Sequence, residues 1–243
     1  VFNDVRGGGH FSGRITAPIV FAGSVAKQIL KQKGIVIGAH IQSIKDVYDD
    51  SFGVDISSQD IENMLQQQYP TLNSHVFEKM QATIEEARIN CDSVGGMIEC
   101  AILNVPAGIG NPFFDSIESH LSPLLFSIPA VKSVSFGLGE KITELYGHEA
   151  NDCYYYDDEK VKTKTNHNGG ITGGISNGMP IIFRVGIKPT PSISQVQQTV
   201  NIKTKENTEL EIIGRHDPCI VPRAVVVVES MAALGILDMM KDI

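Results

Sequence analysis

Between Asn166 and Ser192 the chain reads NHNGGITGGISNGMPIIFRVGIKPTPS, and this stretch carries residue types suited to binding an anion. Five glycines fall between positions 169 and 178. At that density backbone N–H groups can approach a ligand with no Cβ in the way, and positive φ is permitted. An apolar strand over 180–187 gives the loop a rigid base. Beyond it stand Lys188, Thr190 and Ser192, stiffened by Pro189 and Pro191. Backbone donors, an ammonium and hydroxyls together suit a phosphate. The same composition also suits a mobile connector followed by an edge strand.

Two further loops collect cations. Arg6 and Arg14 stand eight apart with His10 between them, and Arg215 and Arg223 repeat that spacing around His216. Each pair precedes an apolar segment that reads as a helix, and a loop opening onto a helix N-terminus presents unpaired N–H groups and the positive dipole end. Two such loops could converge on one anionic ligand; coincidence accounts for the spacing equally well. Asp217 lies between Arg215-His216 and Pro218. A third polar stretch, 147–164, holds His148, Glu149, Asp152, three consecutive tyrosines and Asp157-Asp158-Glu159. Its irregular spacing reads as a solvated, mobile loop rather than a metal site.

The elements that would position these groups follow from periodicity. A helix is expected from Ala17 to Lys31, with Pro18 in its first turn and Gly34 beyond its end. Apolar residues at 35, 37, 39 and 41 predict a half-buried strand. The glutamine-rich 47–73 carries no motif beyond a short helix near 61–68. Ser74 is the expected cap of a helix running to about Asn90. Strands are expected over 97–105 and 131–136, with a helix over 113–128 that Pro123 would kink or divide. A hairpin is expected from 199–203 and 210–213 across a turn at 204–209. From Pro222 to about Lys241 the chain is apolar nearly all round, as in a helix buried on every side. Its four successive valines favour a strand, but the length of the run decides for helix.

Bulk properties narrow the function classes. The 243 residues are 42% hydrophobic and 20% charged, ordinary globular composition consistent with one domain. A net charge of −8 argues against nucleic acid or anionic membrane as a partner. Cations gathered in glycine-rich loops of an acidic chain instead fit a small anionic ligand. Cys91, Cys100, Cys153 and Cys219 show neither C-x-x-C nor metal-type spacing, and they read as the reduced thiols of a cytoplasmic protein. No run is long enough to span a bilayer. P-loop, dinucleotide and G-x-S-x-G signatures are absent.

Five separated blocks resemble one family in its order: RGGGHFSGR, VPAGIGNPFFD, IPAVKSVSFG, TNHNGGITGGISNGMPIIFRVGIKPTPSI and GRHDPCIVPRAV are similar to chorismate synthases. The resemblance implies an α+β fold with core helices sandwiched between antiparallel sheets, and a homotetramer with flavin sites near subunit contacts. It implies elimination of phosphate from 5-enolpyruvylshikimate 3-phosphate to give chorismate. The cofactor would be reduced FMN, with NADPH as a candidate reductant. On the matching positions it places flavin contacts at His10, Phe11, Ser12, Pro129, Ala130, Gly173, Lys188, Pro189, Thr190, Pro191, Ser192 and Arg215. The first triplet often reads Arg-Ser-Ser in the family, so a phosphate contact there is not carried over. Substrate contacts fall on Ser12, Arg14 and Arg215, and Asp217 matches an acid implicated in proton transfer. The chain begins at Val1 close to a motif, which reads as the C-terminal portion of such an enzyme without the segment that bears its catalytic histidines and several arginines. These residues alone are therefore expected to be impaired or inactive. A non-catalytic flavin-binding and oligomerisation core, and a phospho-ligand sensor without chemistry, are the alternatives.

Overall fold

The computed structural model describes residues 12–212, 214 and 217–240. In chain order the elements begin with α1 (Ala17–Gln32), β1 (Val36–Ile44), β2 (Val47–Tyr48), α2 (Ser58–Leu65), α3 (Val76–Ile89) and β3 (Gly96–Leu103). Next come α4 (Ile117–Phe126), β4 (Val131–Phe136), α5 (Gly147–Ala150), β5 (Tyr154–Asp157), β6 (Lys160–Thr163), β7 (Ile171–Thr172) and β8 (Ile175–Ser176). The chain closes with β9 (Ile181–Ile187), β10 (Gln197–Asn201), β11 (Glu206–Leu210) and α6 (Val221–Met239).

Five strands form one antiparallel sheet in the order β2-β1-β3-β9-β4, and the other six make three separate hairpins. Strand alternation sends Ile181, Phe183, Val185 and Ile187 of β9 into the main core with Ile98, Cys100 and Ile102 of β3. Against this inner face lie α1, α3, α4 and α6. The fold is therefore α+β, as expected. Within the described residues the sheet covers one side of the helical layer, and the opposite face of α1 exposes Phe21, Val25 and Ile29.

The helix α6 is buried along most of its length, including three of its four successive valines. Their strand preference is overridden because apolar residues occur on nearly every helical face and all but the exposed Val226 are buried or half-buried. At its crossing with α1, a Cβ on Gly23 would fall 2.3 Å from Ser230 Cβ, so the helices approach at glycine distance.

Several local expectations are corrected. The strand β1 is buried on both faces rather than one, because α2 and the chain before it seat Ile56, Ile61 and Met64 on the outer face. That helix starts at Ser58, earlier than expected, since Ser57 and Asp60 form a reciprocal capping box. Ser74 does not cap α3. The cap residue is His75, whose amide donates to Asn73 Oδ1. The fourth helix begins only at Ile117, capped by Ser116, because Asn111 and Asp115 first close a tight loop with Phe113 at φ +39°. Pro123 lies inside this helix and does not divide it.

The hairpin of β10 and β11 pairs Asn201 with Glu206, so its turn is 202–205 rather than 204–209. Asn201 Oδ1 sets this turn by accepting from the Lys203 and Thr204 amides. The stretch 147–164 is not a simple solvated loop: it holds α5 and the β5–β6 hairpin, on which Tyr154, Tyr155 and Tyr156 are exposed. All four cysteines are free, and burial pushes the Cys219 thiol up to about 11, which keeps it protonated and unreactive. Among the described residues no helix is long and apolar enough to cross a membrane.

Candidate functional site

At one end of the sheet β9 finishes at Ile187, directly opposite Gly96 at the start of β3. Lys188 continues the ladder, its amide donating to Ala130 O at 2.9 Å. Pro129 and Ala130 are thereby set beside Lys188, with Ala130 held at φ +72°, the left-handed region that costs a non-glycine residue energy. The segment then leaves the sheet as an arm, Lys188 to Ser192, whose proline rings are exposed while Lys188, Thr190 and Ser192 are half-buried. Ser93 Oγ donates to Thr190 O at 2.6 Å. The neighbouring Val94 amide donates to Pro218 O at 2.8 Å, bringing the Asp217 turn to the same end. Asp217 Oδ2 accepts from Arg223 on the first turn of α6.

Among the described residues Lys188 makes no ion pair. A half-buried ammonium without a counter-ion is a place for an external anion. Ser12 caps a 3-10 turn, Gly13–Thr16, by accepting from the Arg14 amide, and Arg14 is exposed. Because α1 folds back along β1 after a tight turn at Gly34, Ser12 and Arg14 lie toward this end too. His10, Phe11 and Arg215 lie outside the described residues, and with them the idea of two converging arginine pairs.

Gly173 is elsewhere. It occupies the tight β7–β8 turn with Gly174, at φ +62° and +85°, values that suit a two-residue hairpin and require glycine. This turn packs on the start of α4, where Ile117 N donates to Gly174 O at 3.0 Å. Both α4 and β9 must be traversed to reach Lys188, and seven strand residues span about 20 Å. The glycine loop and Lys188 therefore cannot cradle one phosphate within a single chain, which corrects the reading of 166–192 as one phosphate site.

The loop is organised by a residue that sequence pattern assigned to a solvated segment. Asp152 is buried and accepts from Thr165 Oγ1, the His167 amide, and the Asn168 amide and side chain, at 2.7–2.9 Å. Burial alone would raise its pKa, but these donors outweigh that and hold the carboxyl below its usual range.

A second charged group escaped sequence reading altogether. His40, Glu99 and Arg184 are cross-strand neighbours on β1, β3 and β9, forming a row across the outer face. His40 is wholly buried, with Nδ1 3.1 Å from Asp49 Oδ2 and Nε2 3.0 Å from Glu99 Oε2. Glu99 Oε1 lies 2.6 Å from Arg184, and Arg184 also donates to Gly137 O at 2.5 Å. Phe52 donates its amide to Glu99, and Leu72 and Asn73 donate theirs to Asp49. Burial alone would lower the His40 pKa; the two carboxylates outweigh it and hold the ring above its ordinary value. Each of the four groups has a partner of the set within 3.1 Å, so the buried charges are paired with one another. These four carry no motif, and their positions are 40, 49, 99 and 184. Strand register joins His40, Glu99 and Arg184, and the chain just after β2 brings in Asp49. Segment 47–73 is the cover this group fastens down.

Comparison with known proteins gives consistent matches. A family profile described as chorismate synthase matches residues 1–241. A chorismate synthase of Pyrococcus abyssi is 48% identical over 238 residues, covering 98% of this chain and 65% of that protein. One from Korarchaeum cryptofilum is 46% identical with the same coverage. A crystal structure of a chorismate synthase superposes with a TM-score of 0.78 at 28% identity, over 95% of this chain and 64% of that one. The chain thus spans about 65% of the length of the curated relatives it matches.

Proposed function

The chain belongs to the chorismate synthase family, and from that premise we propose that it forms the flavin-binding part of a phosphate lyase. The reaction is the FMN-dependent elimination of phosphate from 5-enolpyruvylshikimate 3-phosphate to give chorismate. The observation that supports this reading is Lys188, a half-buried cation with no counter-ion among the described residues, set beside Pro129–Ala130 and the Asp217 turn at one end of the sheet.

Lys188, Thr190 and Ser192 bind the flavin phosphate, the cation by charge and the hydroxyls by hydrogen bonds. Pro129 and Ala130 lie against the ring system, with Ser12 as a further contact. Ser12 and Arg14 also orient the anionic substrate, Arg14 through its exposed guanidinium. Asp217, whose Oδ2 is taken by Arg223, offers Oδ1 to a proton at the reacting centre. When bound, reduced flavin supplies the electron density that assists loss of the phosphate, with NADPH as the electron source. Gly173 reaches a flavin only from a neighbouring copy, which fits a homotetramer with sites near subunit contacts. His10, Phe11 and Arg215 complete the site. The 243 residues act as one domain in the cytoplasm, and by themselves bind FMN but turn over slowly or not at all.

Flavin titration followed by a chorismate-formation assay tests the reading. FMN binding with little turnover is the expected result. Near-normal turnover would overturn the impairment, and preference for a different phosphorylated ligand over FMN would make the chain a sensor.

A further inference from the structure

The turn 92–95 touches both segments of the site and carries no sequence motif. Ser93 Oγ holds the arm through Thr190 O at 2.6 Å. One residue on, the Val94 amide holds the Asp217 turn through Pro218 O at 2.8 Å. Gly95 presses against the base of the arm: a Cβ there would fall 2.3 Å from Ile187 O and 3.0 Å from Pro189 N. Ser93, Gly95 and Pro189 also line one groove of about 490 Å³. The arm has few other ties. Pro189 and Pro191 are exposed and lack amide donors, so among the described residues the arm's polar ties are the Lys188 amide, the Ser93 hydroxyl at 2.6 Å and a longer contact of 3.4 Å from Gln197 Nε2 to Pro191 O.

We propose that Ser93 is a positioning residue: through the Thr190 carbonyl it fixes the Lys188–Ser192 arm against the Asp217 turn, which Val94 holds. This rests on the flavin reading above. The cation on the arm and the carboxylate on the turn belong to segments 29 residues apart in sequence, Lys188 and Asp217. Lys188 is tied to Ala130 at its base and Asp217 to Arg223, and among the described residues three consecutive residues of one turn touch both segments. Removing the hydroxyl frees the arm while leaving Val94 on Pro218.

The test compares Ser93→Ala, Ser93→Thr and Gly95→Ala with the wild-type chain. FMN and riboflavin affinities are measured by fluorescence titration, thermal melting checks folding, and hydrogen exchange is followed in the ligand-free arm. Ser93→Ala should weaken FMN binding about fivefold to tenfold, the scale of one net hydrogen bond, and riboflavin binding less. Exchange should rise at Thr190 and Ser192. Ser93→Thr, which keeps the hydroxyl, should restore both readouts. Gly95→Ala should displace the arm with the hydroxyl intact and weaken FMN binding as well, so the idea stays testable if Ser93→Ala unfolds. Folded Ser93→Ala with wild-type FMN affinity and exchange would overturn the proposal, as would equal losses for FMN and riboflavin. Wild-type chain that takes up no FMN would sink the flavin reading instead, and exchange alone would then decide whether Ser93 fixes the arm.

Discussion

On the outer face of the sheet, His40, Asp49, Glu99 and Arg184 answer one another's charges at 2.6–3.1 Å. At the Lys188 end a cation stands beside backbone carbonyls and prolines, and among the described residues no carboxylate pairs with it. Both regions are built on the same strands, since β3 and β9 supply Glu99 and Arg184 to one and open into the other. The difference lies in what each leaves unsatisfied. A buried set paired within itself has little to offer a ligand, and its contacts with Phe52, Leu72 and Asn73 hold the 47–73 cover on the sheet. A half-buried charge left over is free to pair with a bound anion. Charge density alone would rank the outer face first as a functional site; counting satisfied partners reverses the ranking.

The largest effect expected from breaking this contrast is on stability. His40→Ala leaves Asp49 and Glu99 buried with one partner fewer, and should cost about 3–5 kcal/mol in denaturant unfolding. FMN affinity of the folded fraction should hold. A loss under about 1 kcal/mol would mean the outer group is not the clasp described.

Asp217→Asn keeps shape and removes charge. If Asp217 handles a proton, FMN affinity is retained while residual turnover falls roughly a hundredfold. Should stability and FMN affinity drop together with saturated turnover unchanged, its pairing with Arg223 is structural and the two regions are alike.

A smaller effect is expected from pH. The His40 pKa is raised above 6.5, so its contribution is complete below 6.5 and is lost as pH rises through the folded value. Burial would raise Asp49, but His40 and the Asn73 and Leu72 amides outweigh it. Its pKa lies below 3.8, so its contribution is complete above 3.8 and is lost as pH falls through the folded value. Unfolding free energy measured on both sides of 6.5 should therefore decline on the alkaline side in the wild-type chain. The part of that decline due to this group should vanish in His40→Ala; an unchanged slope would remove the proton from the account.

Much of this was legible in the residues, for identifiable reasons. The helices α1 and α6 and the strands β3, β4 and β9 announce themselves because their apolar periodicity is long and their neighbours agree with it. Lys188 to Ser192 stands out in the sequence because lysine, hydroxyls and prolines sit consecutively. The outer-face group could not, because its members meet only through sheet register and a loop that folds over 23 residues to bring Leu72 to Asp49. Asp152 was misplaced for a related reason. Its surroundings in sequence are polar and exposed, while its partners lie 13–16 residues further on. The span of 166–192 misled in the opposite sense: continuity in sequence suggested one phosphate site, and the strand inside it holds the two halves apart.

The central claim is that the charge left over at Lys188 is there for a flavin phosphate. Titrating wild-type chain and Lys188→Ala with FMN and with riboflavin tests it most directly. The account predicts that Lys188→Ala loses about 1–3 kcal/mol of FMN affinity, the scale of one charge-assisted hydrogen bond. It predicts a much smaller loss for riboflavin, and melting within a degree or so of wild type because no internal partner is orphaned. Equal losses for the two flavins, or a large drop in stability, would contradict it.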